Sequence, residues 1–151
     1  SKAVAYGEAL TDGYFQYILQ VKKNADVMGK AFMDRGYNVI SGGTDNHLLL
    51  IDLRSKFPEV TGKVVENTLV QADITVNKNM VPFDKRSPFV TSGIRLGTPA
   101  LTTKGMKEAD MKVIAGFIDT VLANVDNEDI YKKVAAEVNE FSGKFPLYDF
   151  E

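Results

Sequence analysis

Apolar residues early in the chain recur at helical spacing. Ile18, Val21, Ala25, Met28 and Phe32 alternate steps of three and four, which places them on one face of a helix. Lys22, Lys23, Asp26 and Lys30 fall largely on the other side. Thr11 or Asp12 is the expected cap at its start. Gly36, following Arg35, is the expected stop, with a cation in the last turn. Residues 1–10 are helical by composition, interrupted by Gly7. Tyr37–Ile40 reads as a short strand, and Ser41–Asn46 as a loop by its glycine and polar content. His47–Leu53 is a near-continuous apolar strand, expected at the centre of a sheet. Thr61 or Gly62 opens a helix whose inner face is Val65, Leu69 and Ala72. Ile74–Asn77 is a β-branched strand candidate, and Lys78–Ser87 is loop. Gly93–Gly97 alternates as a half-buried strand. Thr102 or Thr103 is expected to begin a helix with a stripe of Ala109, Val113, Phe117 and Val121. Asn127 is expected to cap a last amphipathic helix carrying Ile130, Val134, Val138 and Phe141, with Phe145-Pro146-Leu147-Tyr148 after it.

Short strands separated by helices predict an α/β, two-layer domain. A length of 151 residues suits a single domain, 1–151. It divides into a helical start (1–36), strands and loops (37–100) and closing helices (101–151). The 44% hydrophobic and 25% charged content is that of a globular chain. A net charge of −2 and a pI near 5.5 lack the basic footprint of a nucleic-acid binder, so no nucleic-acid partner is expected. Cysteine is absent, which excludes disulfides, a thiolate nucleophile and Cys-ligated zinc. The longest apolar run, Leu48–Ile51, is strand-sized, and no membrane partner is expected. The chain opens on Ser1 inside a helical pattern, as a piece of a longer protein would. Apolar surface on residues 1–10 or near Leu147 is then expected to lie exposed.

Familiar catalytic signatures are missing: no GxSxG elbow, no P-loop, no GxGxxG after a strand, no HExxH. With one histidine and no cysteine, no metal site is expected. The informative stretch runs from Thr75 to Gly105. Arg95 lies between Ile94 and Leu96, so it faces away from the core if they face inward. An arginine fork suits a carboxylate; the plainer alternative is an edge-strand arginine paired with a surface acid. Asn77-Lys78-Asn79 offers amides for a heterocycle edge, or ordinary turn chemistry. Ser87-Pro88-Phe89 places a ring beside a planar ligand, or anchors a loop by a buried phenyl group. Ser41–His47 has the look of a phosphate nest, but it leads into a strand and so lacks a helix dipole. Its plainer form is a tight loop in which Asp45 and Asn46 bond the backbone. His47 is then a satisfied structural histidine.

Three runs change this balance: Ser41-Gly-Gly-Thr-Asp-Asn-His47, Ile74-Thr-Val-Asn-Lys-Asn79-Met-Val-Pro82, and Ser87-Pro-Phe-Val-Thr-Ser-Gly-Ile-Arg-Leu-Gly-Thr-Pro-Ala100. With Lys22–Ala25, Arg35-Gly36-Tyr37 and the helix at Ala109–Val125, they resemble the C-terminal region of the serine hydroxymethyltransferases. The resemblance covers essentially the whole chain. It implies the small C-terminal domain of an aspartate-aminotransferase-like (fold type I) pyridoxal-phosphate enzyme, with a short, mainly antiparallel sheet covered by helices. The implied reaction converts serine and tetrahydrofolate reversibly to glycine and 5,10-methylenetetrahydrofolate. Arg95 matches the arginine for the amino-acid carboxylate. Asn79, Ser87, Pro88 and Phe89 match folate-site positions. The family's Schiff-base lysine belongs to a Thr-Thr-Thr-His-Lys-type motif that this sequence does not contain. Hence no catalytic residue is assigned, and the chain alone is expected to be inactive and not to bind pyridoxal phosphate properly. The family also implies a homodimer or larger assembly and a cytoplasmic location. A stand-alone amino-acid or folate binding module is the competing expectation.

Overall fold

The long helix is where the spacing places it. In the computed structural model, which describes residues 1–147, α1 (Lys2–Ala9) leads into α2 (Asp12–Met33). Thr11 is the cap: its Oγ1 accepts the Tyr14 N–H at 3.2 Å. Arg35 donates to the Ala31 carbonyl at 2.8 Å, neutralising the last turn. Gly36 takes φ +86, a left-handed turn that returns the Tyr37 N–H to the Phe32 carbonyl at 3.1 Å. Val21, Ala25, Met28 and Phe32 are buried, and Ile18 is half-buried.

Four strands follow: β1 (Asn38–Val39), β2 (Leu48–Asp52), β3 (Asn77–Asn79) and β4 (Gly93–Gly97). They form one sheet in the order β1-β2-β4-β3, with every neighbouring pair antiparallel. The register sets Leu49 against Leu96 and Ile51 against Ile94, and all four side chains enter the core. α2, α3 (Gly62–Gln71) and α5 (Glu108–Leu122) supply the opposing layer through Met28, Phe32, Val65, Leu69, Met111 and Ala115. The other face of the sheet carries Asn38, Leu50, Asn77, Asn79 and Arg95, exposed or half-buried. The two-layer α/β expectation therefore stands, with a wholly antiparallel sheet.

Three local expectations shift. The strand expected at Ile74–Asn77 forms instead at Asn77–Asn79. Val76 is buried and Ile74 packs on the core, so the β-branched run anchors the exit from α3. Pairing starts only where β4 offers a partner, with Asn77 opposite Arg95. On the free edge of β3, Glu66 of α3 accepts the Lys78 N–H at 3.0 Å and its ammonium at 2.7 Å, which blunts the edge.

Thr102 and Thr103 begin no helix. They end α4 (Pro99–Thr103), which opens on a proline. Thr102 is buried, where its Oγ1 donates to the Thr98 carbonyl and accepts from Asn24 Nδ2. Fully buried Asn24 also donates to the Met106 carbonyl and accepts from Gln20, so its polar atoms are all matched. The next helix, α5, starts at Glu108, where Asp110 accepts the Lys107 N–H at 2.8 Å.

The inward stripe of α5 also differs. Met111, Ala115, Ile118, Val121 and Leu122 are buried, whereas Ala109 and Val113 are exposed. A strict step of four drifts around a helix of 3.6 residues per turn, while mixed steps of three and four stay on one face. α6 (Glu128–Gly143) is capped as expected: Asn127 accepts the Ile130 N–H at 3.4 Å. Its buried residues are Val134 and Tyr131. Tyr148 lies outside the described residues.

Apolar surface is exposed where the sequence leads one to expect it. α1 buries none of its residues, leaving Val4, Tyr6 and, just after it, Leu10 in solvent, and Leu147 is half exposed. Among the described residues, no helix is long and apolar enough to cross a membrane.

Gly62 sits where α3 meets the segment before β4. A Cβ there would lie 2.1 Å from Thr91 Oγ1 and 2.5 Å from the Gly93 carbonyl. Gly62→Ala is expected to lower the unfolding free energy by about 1–3 kcal/mol, the usual scale of overpacking, in urea titration. Gly7→Ala, whose methyl meets nothing within 4 Å, leaves the midpoint unchanged or raises it.

Candidate functional site

Arg95 projects from the middle of β4, between Ile94 and Leu96, which are 0% and 9% exposed. β4 is an inner strand, flanked by β2 and β3, so Arg95 is not an edge-strand residue. Among the described residues no carboxylate lies within ion-pair distance of it. The exposed guanidinium lines an open cavity of about 660 Å³ with Leu48–Leu50, Asp26 and the Ser41–Asn46 loop. Arg95 is the one cation of that lining. Asp26, the helical acid at the rim, is already paired with Lys30 at 2.7 Å. The cavity therefore presents an unmatched guanidinium fork to any anion that enters, and a carboxylate fits it with two parallel hydrogen bonds.

The Ser41–Asn46 wall is the expected tight loop, held by slightly different residues. Asn46 Oδ1 accepts the Leu48 N–H at 2.8 Å, and Thr44 Oγ1 accepts the Asn46 N–H at 3.2 Å. Thr44, and not Asp45, is the second brace. His47 departs from expectation too. Its side chain is exposed, and its fixed contribution is a carbonyl that accepts the Thr98 N–H at 3.2 Å.

The other expected residues lie on the β3 side. Asn79 pairs with Gly93, on the same sheet face as Arg95. Its Nδ2 donates to the Met80 carbonyl at 2.7 Å. Ser87, Pro88 and Phe89 are exposed, Phe89 by 80%, so no buried phenyl group anchors this segment. None of these four lines the Arg95 cavity. Arg95 thus stands beside a cavity on the β2 side, and Asn79 with the exposed Ser87–Phe89 loop lies on the β3 side.

A polar frame missed in the sequence braces the loop that carries Ser87–Phe89. Asp84 accepts from the Val81, Arg86 and Ser92 N–H groups at 3.3, 3.0 and 2.8 Å, and from Ser92 Oγ at 2.7 Å. Arg86 donates to the Val60 and Pro58 carbonyls at 2.8 and 2.7 Å. Arg54, gripped by Asp52 at 2.7 Å, donates to the Pro82 and Phe83 carbonyls. Burial alone pushes the carboxyl of Asp84 up, but hydrogen bonds from Ser92, Arg86 and Val81 outweigh it and hold it at about 2. Asp52 is likewise lowered, because its bonds to Arg54 overcome burial. The signal available in the sequence was the spacing Asp84-x-Arg86 and Asp52-x-Arg54, an aspartate accepting from the backbone two residues on.

The chain is thus a mixed α/β domain in which helices cover one face of a short antiparallel sheet and an arginine without an ion-pair partner among the described residues rises from the other. The family model described as serine hydroxymethyltransferase matches residues 1–118, and the chain belongs to that family. The match includes Asn79, Ser87–Phe89 and Arg95. It ends inside α5, so α6 lies beyond it.

Asp84 is held below its ordinary 3.8, so its contribution to stability is complete above that pH and is lost as pH falls through about 2. In denaturant titrations between pH 4 and 2, Asp84→Asn is expected to flatten the acid-side decline. An unaltered slope would contradict the role given to this carboxylate.

Proposed function

We propose that the chain is the C-terminal domain of a longer, pyridoxal-phosphate-dependent serine hydroxymethyltransferase of the aspartate-aminotransferase-like fold. In this reading Arg95 binds the carboxylate of serine or glycine. The observation that carries it is the exposed, unpaired Arg95 on an inner strand beside an open cavity. A bidentate grip holds the amino acid in one orientation, and so selects which bond at Cα is presented for cleavage. Serine becomes glycine by losing its hydroxymethyl carbon, which tetrahydrofolate accepts.

Asn79, Ser87, Pro88 and Phe89 form part of the folate wall. The exposed Phe89 ring offers a stacking face, and the Asn79 amide offers an acceptor for a heterocyclic N–H. Asn79 shares the sheet with Arg95, and Ser87–Phe89 lie on the loop that joins β3 to β4, so both subsites are referenced to the same pair of strands.

Pyridoxal phosphate supplies the electron sink for this chemistry when bound. The residues of this chain do not by themselves fit it. The lining of the Arg95 cavity contains no lysine to condense with the aldehyde, and the sequence lacks the Thr-Thr-Thr-His-Lys-type motif. The lysine and the phosphate site are therefore assigned to residues outside this sequence, and the isolated chain is inactive. The exposed Val4, Tyr6 and Leu10 support a covering partner surface, as in a multi-domain enzyme that assembles as a dimer or larger. A cytoplasmic location belongs to the same reading.

In the full-length enzyme, Arg95→Lys keeps the charge and loses the fork. The KM for serine is expected to rise by roughly 10- to 100-fold, the worth of charge-assisted hydrogen bonds, with little change for tetrahydrofolate. Unchanged serine kinetics would sink the assignment. Titrated alone with pyridoxal phosphate, the chain is expected to give no saturable, stoichiometric absorbance band. A single-site band accompanied by serine turnover would overturn the division of labour.

A further inference from the structure

The segment between β3 and β4 has little hydrophobic anchoring. Val81 is buried, but Pro82, Phe83, Lys85, Ser87, Pro88 and Phe89 are exposed. A segment with so few apolar contacts fluctuates unless polar bonds hold it. Two of its non-glycine residues, Phe83 and Thr91, also sit in the left-handed region at φ 56 and 57. Such conformations persist only where the surroundings over-determine them.

Asp84 is the group that closes this segment on itself. Its Oδ2 bridges Val81, at the segment's start, to Ser92, which adjoins Gly93 of β4. Its Oδ1 binds Arg86, next to Ser87, and the Ser92 hydroxyl. The Thr91 N–H then donates to the Ser87 carbonyl at 2.9 Å, and the Gly62 and Lys63 N–H groups tie Thr91 and Val90 to α3. One carboxylate thus relates the Ser87–Phe89 turn to the strand that carries Arg95.

We infer that Asp84 is a positioning residue for the pteridine-binding wall, setting Ser87–Phe89 at a fixed distance from the amino-acid arginine without touching either substrate. The inference rests on the folate reading above. The hydrogen bonds of Asp84 all come from backbone N–H groups or a hydroxyl, so an amide in its place accepts at only one of its two atoms. The NH2 of Asp84→Asn then faces donors, and the segment opens.

The test uses the full-length enzyme and two readouts. For Asp84→Asn the KM for tetrahydrofolate is expected to rise about tenfold, a change of 1.4 kcal/mol by the usual conversion, with the serine KM changed less than twofold. Trypsin cleavage after Lys85 or Arg86 speeds up in the same variant. Ser92→Ala, which removes one hydroxyl bond, moves both readouts in the same direction by less, and serves if Asp84→Asn does not fold. An unchanged folate KM in both variants overturns the inference, as does an equal rise for serine and folate, which marks general damage. Phe89→Ala separates this from the underlying reading. If it raises the folate KM while the Asp84 and Ser92 variants do not, the positioning role fails alone. If Phe89→Ala and Asn79→Ala both leave folate binding intact, the folate wall fails and the positioning role with it.

Discussion

The structure depends on the register between β2 and β4. Leu49 faces Leu96 and Ile51 faces Ile94 on the helix-covered side, and the same pairing turns Leu50 and Arg95 outward together. Side chains alternate with a period of two, so a slip of one residue would drive a guanidinium into the core and expose Ile94. Burying an unpaired charge costs far more than a marginally stable fold can bear. The apolar residues on either side of Arg95 are therefore what aim it. The stability of the core and the presentation of the arginine rest on one register.

The Arg95 face and the Ser87–Phe89 loop are positioned by different physics. The Arg95 side is positioned by burial of its strand neighbours, which is strong and non-directional. The Ser87–Phe89 side is positioned by directional bonds from Asp84, Arg86 and Arg54. These carboxylate-centred bonds permit exposed phenyl rings to stand on a braced loop. They also make that side the more sensitive to acid, since Asp84 and Asp52 accept at both oxygens only while ionised, and protonation turns one of those oxygens into a donor facing donors. The buried Tyr37 hydroxyl behaves oppositely. Burial and then its bond to Asp119 push its titration up, so it stays a neutral donor linking the start of the sheet to α5.

A polar knot does comparable work inside the core. Asn24 of α2 reaches Thr102 and Met106, and Thr98 donates to the Val21 carbonyl at 2.9 Å. These bonds fix α4 and the turn into α5 against the long helix. Neither threonine is legible as a core residue from spacing, because a short helix of five residues carries no periodic signal. Thr102 reads as a cap in the sequence and proves to be a buried link.

By itself the sequence determined the elements whose signal is local and repeated: the face of α2, the inner side of α3, the central β2, the alternation around Arg95 and the cap at Asn127, while it narrowed two other helix starts to Thr11 or Asp12 and Thr61 or Gly62, between which the structure chose the threonines. Its long runs around Asn79 and Arg95 also determined the family. The tertiary structure decided the rest. β3 formed three residues late, because a strand needs a partner and β4 supplied one only there. The inward face of α5 was settled by the layer it packs on. The bonds of Arg86 to Val60 and Pro58 and of Arg54 to Pro82 and Phe83 emerged only after folding, because a hydrogen bond between residues far apart in the chain leaves no periodic trace along it, whereas the local bonds of Asp84 left only the short Asp-x-Arg spacing. Arg95 was visible from the start as an arginine facing away from a core. That it stands unpaired beside an open cavity depends on where its neighbours along other strands and loops come to rest.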